Sequence, residues 1–124
     1  MPDEDVEFVG SNTSIIVDHS SDIVIEGIAF GRSTYGLLVI NSTGCSILNN
    51  EIAGFSKSGI YLNNSTTNYI LSNHISCDYE TDGITLRNSS DNILEDNFVK
   101  FSNYLVVSKD KSCINKIKPM LTET

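Results

Sequence analysis

Five segments of the chain superimpose: SIIVDHSSDIVIEGIAF from Ser14, GLLVINSTGCSILNNEI from Gly36, GIYLNNSTTNYILSNHI from Gly59, GITLRNSSDNILEDNFV from Gly83 and YLVVSKDKSCINKI from Tyr104. Their first apolar residues, Ile15, Leu37, Ile60, Ile84 and Leu105, lie 22, 23, 24 and 21 positions apart. A unit this short cannot bury its own inner face, so successive units must stack. Inside each unit apolar positions alternate, which is strand periodicity. The second apolar column is Val17, Val39, Leu62, Leu86 and Val107. Ile25, Ile47, Ile70 and Leu94 follow, then Phe30, Ile52, Ile75 and Val99.

The pattern predicts an all-β chain: a single-stranded right-handed parallel β-helix of about five coils, with three short strands per coil. It spans 13–117, with 1–12 as an N-terminal cap and 118–124 as a C-terminal tail; only the last ten residues are compatible with a helix. Both prolines, Pro2 and Pro119, lie outside that body, where a missing N–H donor does no harm to a ladder. Asn41, Asn64 and Asn88 share one column and Asn50, Asn73 and Asn97 another, suited to left-handed turns and to amide stacking between coils. Gly36, Gly59 and Gly83 precede the first strand and read as turn residues. Cys45 and Cys113 fall in one column three coils apart, too far for a disulfide, and read as small buried hydrophobes; Cys77 sits on a turn.

The motif GIxLxNSxxNxIxxN, clearest at Gly59–Asn73 and Gly83–Asn97, resembles the parallel β-helix repeat of carbohydrate-binding and sugar-hydrolase proteins. It looks most like the Asn-rich branch found in archaeal and bacterial surface proteins and in the periplasmic nitrous-oxide-reductase maturation family. The resemblance covers about 13–117 and implies the fold; such repeats occur in lyases, hydrolases, epimerases, adhesins and protein-binding domains, so it implies little about activity. It suggests an extracellular, cell-surface or periplasmic setting, although the acidic opening MPDEDVE is no secretory leader.

The turn after the third strand absorbs the differences in repeat length. Stacked, its residues form a ridge of aromatics interleaved with charge: Arg32, Tyr35, Lys57, Asp78, Tyr79, Glu80, Asp82, Lys100 and Tyr104. Aromatic faces and convergent polar groups are what a sugar needs, so this ridge is the candidate carbohydrate site. The plainer reading is that Phe55 and Phe101 close the core at this turn while the charges are merely solvated. The carboxylates of Asp78, Glu80 and Asp82 offer oxygen donors for Ca²⁺, but they match no loop template and read first as a solvated acidic turn. No other cofactor is expected.

A net charge of −8 excludes nucleic acid as a partner, because phosphate binding needs clustered Lys and Arg, and no apolar run is long enough to insert in a membrane. Catalysis is not expected. There is no Gly-His-Gly with clustered Asp; His19 and His74 lie on different columns, with His74 read as a solvent-facing strand residue, and neither Arg32 nor Arg87 is accompanied by metal-ligating acids. Outward positions on the first strand (Ile16, Leu38, Ile40, Tyr61, Val106) and the middle strand (Val24, Leu48, Tyr69, Leu71, Ile93, Ile114) are apolar enough to suggest self-association or neighbouring coils of a longer solenoid. The expectation is therefore a non-catalytic, carbohydrate-associated module of a larger surface or secreted protein. The alternatives are a protein-interaction scaffold or, less favoured, a fragment of a polysaccharide lyase or glycoside hydrolase.

Overall fold

The computed structural model describes the backbone of residues 5–8, 13–76, 81–100, 104–109, 116–117 and 121–123, and side chains within 15–76 and 81–100. After β1 (Asp5–Phe8), every coil supplies one strand to each of three sheets. The first coil holds β2 (Thr13–Asp18), β3 (Val24–Glu26) and β4 (Ala29–Gly31), and the second holds β5 (Tyr35–Ile40), β6 (Ser46–Leu48) and β7 (Glu51–Ala53). The third holds β8 (Ser58–Asn63), β9 (Tyr69–Leu71) and β10 (His74–Ser76); the fourth holds β11 (Asp82–Arg87), β12 (Ile93–Glu95) and β13 (Phe98–Lys100). Backbone alone defines the fifth: β14 (Tyr104–Lys109), β15 (Lys116–Ile117) and β16 (Leu121–Glu123). Strand order is β1-β2-β5-β8-β11-β14 in the first sheet, β3-β6-β9-β12-β15 in the second and β4-β7-β10-β13-β16 in the third. Every pairing is parallel except β1 on β2. The molecule is a parallel β-helix, and no helix occurs among the described residues. Strand β16 lies inside the segment 118–124 set apart as a tail, and its register, Phe98↔Leu121, adds it to the third sheet.

The columns are those the repeat predicts. Ile15, Leu37, Ile60 and Ile84 pair in register, as do Ile25, Ile47, Ile70 and Leu94, and Phe30, Ile52, Ile75 and Val99. Nearly all are buried, and with Phe55 and Cys45 they fill the bore. The fifth repeat departs by one residue. Val106, not Leu105, pairs with Ile84, and Val107 pairs with Thr85, so by register Val106 continues the Ile84 column. The run YLVV is apolar at both parities, so alternation cannot choose its register.

Each coil turns at residues in the left-handed region. One column is His19, Asn41, Asn64 and Asn88 (φ 49–52°), a second Asp22, Gly44, Thr67 and Asp91, and a third Gly27, Asn49, Ser72 and Asp96. Asn and Asp tolerate this conformation at least cost, which explains much of the chain's Asn content. Asn41, Asn64 and Asn88 are exposed corner residues and not part of the amide ladder.

The buried ladders lie elsewhere. Asn50 N–H and Nδ2 both donate to Asn73 Oδ1 at 3.0 Å, and Asn73 repeats this on Asn97 at 2.9 and 3.0 Å. A second amide ladder joins Asn68 to Asn92, with Cys45 N–H donating to Asn68 Oδ1 at 2.9 Å. Ser20, Ser42, Ser65 and Ser89 form a third: the N–H groups of the first three each donate to the next coil's hydroxyl at 3.1 Å. Corners expose backbone groups that no ladder satisfies, and these side chains replace the missing partners. No buried side-chain nitrogen or oxygen among the described residues lacks a partner.

The glycines differ from expectation. Gly36, Gly59 and Gly83 are the second residues of β5, β8 and β11 and are buried. A Cβ on Gly59 would meet Ile75 Cγ2 and Gly83 O at 2.8 Å, so close approach of the first sheet to the third selects glycine, not turn geometry. Cys45, 2% exposed, is the small core thiol expected, while Cys77 and Cys113 lie outside the described residues.

Candidate functional site

Two successive inward positions, Gly59 and Ile60, interrupt the alternation of β8. The pairing register stays constant across them: Tyr35↔Ser58 and Leu37↔Ile60 have one offset, and Ser58↔Asp82 and Ile60↔Ile84 another. Tyr35, Ser58 and Asp82 therefore share the outer face with residues three positions further on. The three outer columns are Tyr35–Ser58–Asp82, Leu38–Tyr61–Thr85 and Ile40–Asn63–Arg87. Between them opens a cleft of about 290 Å³ lined by Tyr35, Lys57, Ser58, Tyr61, Asp82, Thr85 and Arg87.

The cleft is organised by its floor. Thr85 is buried, and its hydroxyl lies 2.9 Å from that of Ser58, which also donates to Ile60 O at 3.1 Å. Tyr35 and Tyr61 meet edge to face, centroids 5.0 Å apart at 64°. Such a contact occupies one ring's edge and one ring's face, leaving ring surface for a ligand. Lys57 is exposed on the turn and accepts, through its carbonyl, the Asp82 N–H at 2.8 Å, tying the Lys57 turn to the start of β11. Arg87 is exposed at the end of β11. By register, Tyr104 continues the Asp82 column and Lys109 the Arg87 column.

Of the residues in the predicted ridge, Tyr35, Lys57 and Asp82 come together here. Arg32, on a left-handed corner beside Gly54, and Lys100, at the end of β13, do not line the cleft. Asp78, Tyr79, Glu80 and Phe101 lie outside the described residues, as does the acidic turn considered for calcium apart from Asp82. Phe55 is a core residue, as the plainer reading of the turn holds. Sequence alternation missed Ser58, Thr85 and Arg87 as site residues, and it placed Tyr61 in an apolar patch; the glycine column was the available signal.

That patch is discontinuous. Val24 and Tyr69 are 60% and 39% exposed, but Ser46 separates them in their column. Ile16, Leu38, Ile40, Leu48, Leu71 and Ile93 are half-buried, and Ile114 lies outside the described residues. The two histidines stay apart. His19 sits on a corner against Asp18, whereas His74 faces solvent on β10 with its ring 4.9 Å from that of Phe98.

A protein-family profile described as "Periplasmic copper-binding protein (NosD)" matches residues 4–118. The chain belongs to this family. No curated protein and no solved structure matches it. The NosD description names copper, and the donors can be tested against it. Among the described residues no three His, Cys, Asp or Glu side chains gather around one point. His19 and His74 belong to different faces, and the Cys45 thiol is sealed in the bore. These residues do not fit a copper centre, which calls for imidazole or sulfur donors converging on one ion.

Proposed function

We propose that this NosD-family chain is a non-catalytic β-helix module, part of a larger protein working in the periplasm, that binds a saccharide in the first-sheet cleft. The periplasmic setting follows the family description. The observation that carries the ligand class is the Tyr35–Tyr61 pair lining the same cleft as the Ser58–Thr85 hydroxyl pair. Sugars present a C–H face that stacks on aromatic rings and hydroxyls that need oriented donors and acceptors, and the cleft offers both. Its volume of about 290 Å³ suits one or two sugar rings. Among the described residues one carboxylate, Asp82, lines it, whereas glycoside hydrolysis uses two on opposite sides of the bond. The reading is therefore binding without turnover.

The test is titration calorimetry of the protein against a panel of neutral and acidic oligosaccharides, with Tyr61→Ala as the variant. Saturable binding that Tyr61→Ala weakens at least tenfold supports the assignment. Absence of binding across the panel, or binding indifferent to Tyr61→Ala, overturns it.

A further inference from the structure

Charge is distributed unevenly over this molecule. The chain carries a net −8, with 16 acidic residues against eight Lys and Arg. Only Arg32, Lys57, Arg87 and Lys100 are cations with described side chains, and two of these four line the cleft, against a single carboxylate. By register Lys109 is the next residue in the Arg87 column. Among the described residues that line the cleft, two cations, Lys57 and Arg87, therefore stand against one carboxylate, Asp82, on an otherwise acidic protein.

From this arrangement we infer that the cleft selects an acidic sugar, a uronate unit of a polysaccharide, with Arg87 and Lys57 as the specificity-determining residues. The inference rests on the saccharide reading above and adds the charge of the ligand to it. A guanidinium has five N–H donors, so Arg87 can fork onto a carboxylate while keeping its contacts within the protein. Lys57 acts as a point charge from the opposite turn. Tyr61 supplies a surface for the sugar ring, and Asp82 accepts from ring hydroxyls, holding the carboxylate end towards the cations and away from itself. Neutral sugars would keep the stacking and lose the ionic contacts. The surrounding negative charge repels anions in general, so the cations must be met at short range.

The experiment is calorimetry with trimannuronate, with its neutral counterpart β-1,4-mannotriose, and with succinate as a sugar-free dianion. The acidic trisaccharide is expected to bind at least about tenfold tighter than the neutral one, and Arg87→Gln to erase that difference. Arg87→Lys, which keeps the charge and loses the fork, is expected to fall between. Thermal melting of each variant confirms that the fold is intact. Equal binding of the two trisaccharides overturns the acidic selectivity and leaves the saccharide reading standing. Binding of succinate as tight as trimannuronate also overturns it, because the cleft would then be an anion site. If neither trisaccharide binds, both readings fall.

Discussion

Removing one amide from the middle of the buried ladder tests what joins the coils. Asn73 takes part in four side-chain hydrogen bonds: Oδ1 accepts from Asn50 N–H and Nδ2, both at 3.0 Å, and Nδ2 donates to Ile47 O at 2.9 Å and Asn97 Oδ1 at 3.0 Å. Asn73→Ala deletes them all, but the groups left behind fare differently. Asn50 Nδ2 keeps Ile25 O, and Asn97 Oδ1 keeps the Asn73 N–H. The Asn50 N–H is orphaned in a buried corner. An orphaned buried donor costs about 1–3 kcal/mol and each other lost bond about 0.5–1.5 kcal/mol net, so the variant loses roughly 3–5 kcal/mol. That is a large fraction of the stability of an ordinary domain, about 5–15 kcal/mol. Asn64 serves as the control. It is exposed at a left-handed corner, and Asn64→Gly is expected to change stability by less than about 0.5 kcal/mol. Urea unfolding followed by circular dichroism measures both, and hydrogen exchange at the Asn50 amide reports the orphan directly. A loss below about 1 kcal/mol for Asn73→Ala, with Asn50 still protected, would refute the claim that this ladder fastens one coil to the next.

Three further outcomes follow from the same geometry. Gly31→Ala is expected to destabilise by more than about 2 kcal/mol in urea titrations, because its Cβ would fall 1.7 Å from Ala53 O, a backbone atom, at a φ of +144°. Thr67→Asn relieves a β-branched residue held at φ 58° on an exposed corner and is expected to raise the urea midpoint, by about 0.5–1 kcal/mol of stability. In a Cys77→Ser/Cys113→Ser background the buried Cys45 thiol is expected to react with iodoacetamide only as fast as the protein opens. Reaction at the rate of a free thiol in the native protein would contradict its place in the bore.

The repeat was legible because stacking imposes one requirement on every coil. Ile15, Leu37, Ile60 and Ile84 recur at nearly constant spacing since each must land above the last. One of the two asparagine columns was legible for the same reason, as Asn50, Asn73 and Asn97 stack. Asn41, Asn64 and Asn88 recur just as regularly but answer to a backbone angle, and periodicity alone does not separate a side-chain bond from a left-handed corner. Asn68 and Asn92 stand in the repeat motif, but their ladder was not legible because the equivalent place in the second coil is Cys45, which breaks the run of amides.

By itself the sequence determined the period, the alternation and therefore the stacked parallel architecture, because these follow from burying one face of a short repeating unit. The tertiary structure alone decided which outer residues face one another. Tyr35, Tyr61 and Arg87 come from three different coils, and Tyr35 reaches the outer face only because two successive inward residues, Gly36 and Leu37, break the alternation. The glycine in that pair is dictated by how closely Ile52 approaches, a Cβ there falling 2.5 Å from its Cγ2. That approach is a contact between sheets; in the chain it leaves only the column Gly36, Gly59 and Gly83, which does not say what comes near.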